Sequence, residues 1–432
     1  MASGAAPPVN TDPLPPNHNT GEILSMDETR LETYARLIVE KGLNPDPGQE
    51  VIITAGLDQP EFVRMVAEAC YRRGVARVIT DWRDMQLARL DQLWQSEEKL
   101  AAVDTWELAR LQWRTEQLPA VLWLDSDDPD GMDGIDQGKR ARAQMARFPK
   151  IKPFRDAMEN RHQWCIAGVP GRKWAQKLFP ELPVEEAQEK LWEAILAAAR
   201  ANGDPLANWD EHNRIIHQRA QKLNGYHLRT LKYHSANGTD FTIELIPEGE
   251  FLGGSETDLN GRVFNPNIPS EELFTTPMRG RAEGVLVATR PLSWQGSLIE
   301  DFSIRFENGR AVEVEAASGR DALEKMIAMD DGAACLGECA LIGADSPINR
   351  SGLLFYNTLY DENASCHFAL GRGFENCIRH YERYSRDELH AMGVNDSMIH
   401  VDFMVGTDDL EITGVSKTGE EVAVFRAGEW CF

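Results

Sequence analysis

The chain has 432 residues, of which 42% are apolar and 26% charged, a composition typical of a globular protein with two or three domains. Its formal net charge is −24, which argues against nucleic acid or an anionic membrane as a partner, since both need a basic face. No uninterrupted apolar run reaches the roughly 18 residues that a membrane-spanning helix needs. Nucleic-acid and membrane partners are therefore excluded, and a peptide or small molecule remains.

The N-terminal segment and the cysteines indicate the cellular compartment. Residues 1–26 are rich in proline and have no basic stretch followed by an apolar one, so we predict a flexible tail and not a signal peptide. The seven cysteines are scattered and odd in number, as expected for free thiols in a reducing compartment. We therefore predict a cytoplasmic protein.

Residues 27–224 alternate apolar strands with amphipathic helices. The predicted strands lie at 51–57, 76–82, 120–126 and 164–170. Strands separated by helices form βαβ units, so this region is predicted to be an α/β domain with a parallel sheet. It contains no glycine-rich phosphate-binding motif, which argues against a nucleotide site.

The pattern changes near residue 225. From there the chain alternates apolar and polar residues in short runs separated by Asn-Gly and Thr-Gly turns, which is typical of antiparallel hairpins. Residues 225–432 are therefore predicted to form a β-rich α+β domain, and this is the domain that carries the candidate catalytic residues.

Several side chains of this second domain are suited to bind metal. His400 and Asp402 stand two residues apart in an alternating strand pattern, so both point to one face. Glu338 lies in the apolar run LGECALI, where a buried carboxylate needs a partner or a metal. His367 and the pair Glu271–Glu272 complete the set. Singly, each has a structural explanation, but together they suffice for two divalent ions.

The segments that hold these residues resemble the thermophilic-type dinuclear metallo-aminopeptidases, the family of aminopeptidases T, S and II. The resemblance rests on NPNIPSEELFTTP, LGECALI, FYNTLYDENASCHFALGRG and VNDSMIHVDFMVG, which occur in order over most of residues 225–410. It implies an N-terminal α/β domain and a C-terminal β-rich catalytic domain. It also implies a homodimer, an enclosed active-site cavity, a peptide substrate and two divalent ions, variously zinc, cobalt or magnesium.

Carried over by motif, the resemblance implies five metal ligands, namely Glu272, Glu338, His367, His400 and Asp402. Glu272 is preferred to Glu271 because it keeps the family spacing to Glu338. The implied reaction is attack of a metal-activated water on the first peptide carbonyl, with Glu338 as the bridging carboxylate. Glu272 or Glu338 would be the general base.

One position departs from the family pattern. The family has a tyrosine seven residues after the first ligand histidine, and this chain has Phe374 there, in HFALGRGF. Phenylalanine cannot donate a hydrogen bond to an oxyanion, and losing one such donor typically costs about 10²–10³ in rate. Tyr356 and Tyr360 are two candidates for a substitute hydroxyl.

Phe374 also leaves other functions open on the same scaffold. One is a ring-cleaving dioxygenase of the dihydroxypyridine type, with a single Fe(II) held by His367, His400 and Asp402. Another is a hydrolase of small amides. Retention of both Glu272 and Glu338 disfavours the mononuclear iron site. A binding protein without activity is disfavoured because it has no use for buried, unpaired carboxylates.

Overall fold

The computed structural model describes residues 28–294 and 297–432, so the predicted tail over residues 1–26 lies outside the described residues. Within the described ranges, no helix has the length and apolar character needed to cross a membrane. The two largest groups of buried apolar side chains lie around a parallel sheet and around a set of antiparallel strands.

The parallel sheet forms where the sequence predicts it. Its first four strands are β1 (Glu50–Gly56), β2 (Arg77–Arg83), β3 (Ala120–Asp125) and β4 (Trp164–Gly168), in the order β2-β1-β3-β4. The five central residues of β1 are buried and mostly β-branched, as expected for a strand at the centre of a parallel sheet. The four predicted strands are thus confirmed to within a few residues.

Helices connect and cover these strands. They are α1 (Glu28–Leu37), α2 (Pro60–Arg72), α3 (Met85–Trp94), α4 (Glu97–Leu100), α5 (Thr105–Gln117), α6 (Gln137–Met158), α7 (Arg172–Leu178), α8 (Val184–Ala198) and α9 (Pro205–Gly225). Helix α8 buries Ala187, Leu191, Ile195 and Ala198, spaced so that they line one face. Helices α8 and α9 are separate elements, and Pro205 stands at the first position of α9, where proline is favoured.

The rest of the chain is mainly antiparallel. Its strands are β5 (Leu228–His234), β6 (Asp240–Leu245), β7 (Glu256–Thr257), β8 (Val263–Phe264), β9 (Asn267–Ile268), β10 (Leu273–Thr275), β11 (Pro277–Val287), β12 (Leu292–Trp294), β13 (Ser297–Glu307), β14 (Arg310–Ser318), β15 (Leu336–Leu341), β16 (His367–Gly371), β17 (His400–Met404), β18 (Glu411–Ser416), β19 (Glu421–Arg426) and β20 (Glu429–Trp430). Its helices are α10 (Arg320–Ile327), α11 (Pro347–Ser351), α12 (Thr358–Asp361) and α13 (Arg386–Met392). The predicted fold class, α/β followed by β-rich α+β, is confirmed.

These strands form two main sheets. The larger has the order β12-β13-β11-β6-β5-β18-β19-β20, with β14 paired to β13. The smaller, which we call the ligand sheet, has the order β10-β15-β16-β17 and is antiparallel throughout. Two later segments also contact the parallel sheet and the apolar side chains buried around it, which we call the first core. Strand β9 extends the parallel sheet beside β4, and residues 348–364 bury apolar side chains in the first core. The domain boundary near residue 225 remains a prediction. Both segments come after residue 225 in the sequence but pack against elements that come before it.

Candidate metal centre

One face of the ligand sheet carries most of the candidate ligands. In register, Glu338 on β15 stands opposite Ala369 on β16, and Ala369 stands opposite Asp402 on β17. Directly opposed residues in neighbouring strands share a face, so the two carboxylates lie on either side of one small alanine. His367 and His400 lie two positions from Ala369 and Asp402 along their strands, and therefore share that face.

The opposite face of the ligand sheet is packed. Cys339, Phe368 and Phe403 stand opposite one another on the three strands and are buried in the second core. The hydroxyl of Tyr233 lies 3.0 Å from Cys339 Sγ, which places a satisfied polar contact under the sheet. Close packing below the strands restricts their movement, so the ligand face is held rigidly.

The adjacent acids Glu271 and Glu272 point in different directions. Glu271 is buried and forms an ion pair with the partly exposed Arg200, whose Nη2 lies 2.8 Å from Glu271 Oε2. Glu272 Oε2 lies 3.4 Å from His367 Nε2. The backbone N–H of Glu271 also donates to Asn363 Oδ1 at 2.7 Å. The ion pair and this hydrogen bond fix the loop, so that Glu272 faces the ligand sheet.

Both histidines turn the same ring nitrogen toward the carboxylates. His400 Nδ1 lies 2.8 Å from the carbonyl oxygen of Arg372, and His367 Nδ1 lies 3.4 Å from that of Ser365. A ring N–H that donates to a backbone carbonyl leaves Nε2 as the ligand atom, which is how metal-binding histidines are oriented. His400 Nε2 accordingly lies 3.0 Å from Glu338 Oε2.

The side chains form two ligand groups that share one member. Glu272, Glu338 and His367 bring ligand atoms within 4.8 Å of one another, and so do Glu338, His400 and Asp402. Asp402 Oδ1 is buried and has no hydrogen-bond partner among the described residues, although His400 Nε2 lies 3.3 Å away. A buried carboxylate oxygen in that state fits a cation better than a structural role. The donor set, carboxylates and imidazoles, suits first-row divalent ions.

The crowding of acids shifts their protonation. Burial and the charges of Glu338 and Asp402 raise the pKa of Glu272 well above its usual range. Burial alone would lower the pKa of His400, but Asp402 and Glu338 raise it well above the usual value. Protons and divalent ions therefore compete for these side chains, and we expect the metal affinity to rise with pH.

The ligand face opens into a cavity of about 630 Å³. The opposite wall comes from the parallel sheet, where Trp123, Ile166 and Asn267 stand side by side on β3, β4 and β9. Phe374 lines the cavity, with its ring centroid 5.0 Å from that of His400. A hydroxyl on that ring would therefore stand beside the candidate metal centre.

The structure adds one acid that sequence reasoning missed. Glu362 lines the same cavity but belongs to neither ligand group. Burial, followed by the charges of Asp402, Glu272 and Glu338, raises the pKa of Glu362 well above its usual range. In the sequence it follows Asp361, whose carboxylate instead accepts backbone N–H groups and so shapes the loop. The string DENASCH does not distinguish the two roles, because they depend on where the loop folds.

The suggested substitute hydroxyls lie elsewhere. Tyr360 is buried in the first core, where its ring stacks on Phe355 at a centroid distance of 4.7 Å. The ring of Tyr356 packs under the Lys177 ammonium group at 5.0 Å. Among the described residues neither tyrosine lines the cavity, whereas Phe374 does. Neither hydroxyl is therefore placed to replace the one that Phe374 lacks.

The different environments of the two adjacent acids lead to a paired prediction. We expect Glu272→Gln to lose metal and at least about tenfold to a hundredfold in kcat, because losing only the hydrogen-bond partner of a metal ligand already costs that much. Glu271→Gln should keep its metal and instead lower the melting temperature, since it leaves Arg200 without its buried partner. Metal analysis and thermal unfolding of both variants test this. The reverse pattern would assign the ligand to Glu271.

Comparison with known proteins agrees with this geometry. The family model described as thermophilic metalloprotease (M29) matches residues 27–430. Aminopeptidase AmpS of Bacillus subtilis (strain 168) is 37% identical over 405 residues, which cover 93% of this chain and 98% of that protein. Aminopeptidase 2 of Geobacillus stearothermophilus is 38% identical over 407 residues, which cover 94% and 98%. The solved structure of wild-type AmpT from Thermus thermophilus matches with a TM-score of 0.85 and 37% identity, covering 94% of this chain and 100% of that one. The chain belongs to the thermophilic metalloprotease family M29.

Proposed function

We propose that this chain is a metal-dependent aminopeptidase that removes N-terminal residues from peptides with the help of two divalent ions. The observation that carries the proposal is the pair of ligand groups joined by Glu338 on the floor of a cavity. The full-length similarity to proteins named as aminopeptidases supports the choice of substrate.

The five candidate ligands would hold the ions, with Glu338 shared between them. When bound, divalent ions supply Lewis-acid chemistry, since they polarise a carbonyl and make water a nucleophile near neutral pH. The backbone carbonyls of Arg372 and Ser365 keep His400 and His367 in the tautomer that presents Nε2. The packed face beneath the ligand sheet keeps the spacing of these side chains fixed.

A carboxylate must also take a proton from the attacking water. The sequence suggested Glu272 or Glu338 for this role. Glu272 and Glu338 both belong to the ligand groups, so bound ions would engage their oxygens. Glu362 lines the same cavity but belongs to neither group, and burial together with the neighbouring acids raises its pKa, which favours a carboxylate that can accept a proton. We therefore include Glu362 in the proposed active site.

Three further features belong to the proposal. The metals are zinc, cobalt or magnesium, because glutamate, aspartate and histidine ligands accept several divalent ions. The molecule is a homodimer, as the family resemblance implies. It acts in the cytoplasm, in keeping with free cysteines, of which six of the seven are buried and unpaired.

The test is hydrolysis of aminoacyl-nitroanilides by protein that has been stripped of metal and reloaded with Zn²⁺, Co²⁺ or Mg²⁺. We expect turnover with two ions per chain and its loss on chelation. N-acetylated versions of the same substrates are the control and should not be cleaved. One iron per chain with oxygen uptake and no peptide turnover would replace this proposal with the dioxygenase.

A further inference from the structure

Besides Glu362, the cavity contains three acids that lie outside the ligand groups, and they differ in how their charge is compensated. Glu159 forms an ion pair with Arg372 at 3.2 Å. Asp125 accepts hydrogen bonds from the side chain of Asn357 at 2.8 Å and from the backbone N–H of Asp127 at 3.2 Å. Glu256 is the third, and among the described residues its carboxylate has the weakest hydrogen bonding and no ion pair.

Among the described residues, the carboxylate of Glu256 has a single weak hydrogen bond. Asn376 Nδ2 donates to Glu256 Oε2 at 3.5 Å, and within the described ranges no cationic side chain lies within 4 Å of the carboxylate. Burial and the nearby Glu159 raise the pKa of Glu256 to about 7, as expected for a carboxylate without a countercharge. Leaving a half-buried acid in this state is unfavourable unless a ligand supplies the missing positive charge.

The position of Glu256 relates it to the metal centre. It lies on β7, a two-residue strand paired with β8, and its side chain lines the same cavity as the ligand sheet. It is close enough for its charge to contribute to the raised pKa of Glu272. Glu256 and the two ligand groups therefore face the same cavity.

An aminopeptidase needs a group of this kind. Its substrate is distinguished from the interior of a peptide chain by the protonated α-amino group, one residue's length from the bond to be broken. A carboxylate in a largely desolvated wall binds an ammonium group by a charge-assisted hydrogen bond, which is stronger there than in water. Such an anchor fixes the register of the peptide, so that only its first carbonyl reaches the metal centre.

We propose that Glu256, oriented by Asn376, binds the α-ammonium group of the peptide substrate. The inference rests on the proposed function and specifies its substrate class, peptides with a free N terminus whatever their first side chain. Glu256 is then a binding residue and not a metal ligand. Its removal should weaken substrate binding while leaving the metal content intact.

The experiment compares Glu256→Gln with the wild-type enzyme on leucine and arginine nitroanilides. We expect kcat/KM to fall about tenfold to a hundredfold on both substrates, because a charge-assisted hydrogen bond is lost. Asp125→Asn is the matched control, since it neutralises a cavity acid that already has amide partners, and it should leave kcat/KM unchanged. A loss confined to the arginine substrate would overturn the proposal, because it would assign Glu256 to side-chain recognition.

A binding measurement separates anchoring from a general disturbance of the site. Leucinol carries the ammonium group, and 4-methylpentan-1-ol is the same molecule without it. We expect the wild type to bind leucinol more tightly than the alcohol, and Glu256→Gln to abolish that difference with both ions still bound. An unchanged difference would refute the anchor. If the wild-type enzyme cleaves no aminoacyl substrate, the proposed function is wrong. If the wild type is active and Glu256→Gln has the same kcat/KM, only the inference about Glu256 is wrong.

Discussion

We expect Glu338→Gln to lower kcat by at least about 10³-fold. We also expect neither divalent ion to remain bound at a full equivalent per chain. Glu338 is the member common to both ligand groups, so one substitution weakens both ion sites. Glutamine keeps the size of the side chain but offers a neutral oxygen, which binds a divalent ion less strongly. Metal analysis after dialysis and turnover at saturating substrate measure the two effects.

The stability of this variant provides a check that it is folded. Glu338 repels the neighbouring acids, which raises the pKa of Glu272, but it also attracts His400 and raises the pKa of that imidazole. Removing its charge therefore has two opposing effects in the metal-free protein, and we expect the metal-free melting temperature to change little. The control is Glu421→Gln, which should keep metal and activity. It alters an exposed acid that is paired with Lys232 on the larger antiparallel sheet. Retention of both ions by Glu338→Gln would contradict the shared-ligand assignment.

The parts of the fold that could be predicted are those encoded locally. The strand β1 is a short apolar, β-branched run, and His400 and Asp402 share a face because they are two residues apart on one strand. Both facts follow from sequence spacing alone. The family resemblance then added the ligand roles that spacing cannot assign, such as the preference for Glu272 over Glu271.

The parts that could not be predicted depend on contacts between distant segments. Strand β9 has only two residues and joins the parallel sheet some 100 residues after β4, which no local pattern shows. The same applies to Glu362, which reaches the cavity because its loop packs on the first core, and to Glu256, whose isolation is visible only once its neighbours are known. Tyr356 and Tyr360 were candidate hydroxyls by proximity in sequence, but the same loop turns both away from the cavity.

Phe374→Tyr is expected to raise kcat for aminoacyl-nitroanilides by about 10²-fold. The ring of Phe374 lies 5.0 Å from that of His400 and 5.2 Å from that of Phe274, so a para hydroxyl remains in the cavity next to the ligand groups. There it can donate a hydrogen bond to the oxyanion that forms when water attacks the peptide carbonyl. Because that charge exists only after attack, the gain should be in kcat, with KM almost unchanged.

The matched control for this gain is Phe274→Tyr, which adds the same hydroxyl to the neighbouring ring of the cavity wall. It changes the polarity of the cavity similarly, but its hydroxyl is carried by strand β10 and not by the loop after β16, so we expect no gain in kcat. Equal gains from both variants would mean that cavity polarity, and not a positioned donor, limits the rate. No gain from Phe374→Tyr, with two ions bound, would show that the reaction does not depend on a donor at this position. In that case the centre works with the groups that it already has, and Phe374 is better explained as part of the surface that selects the substrate.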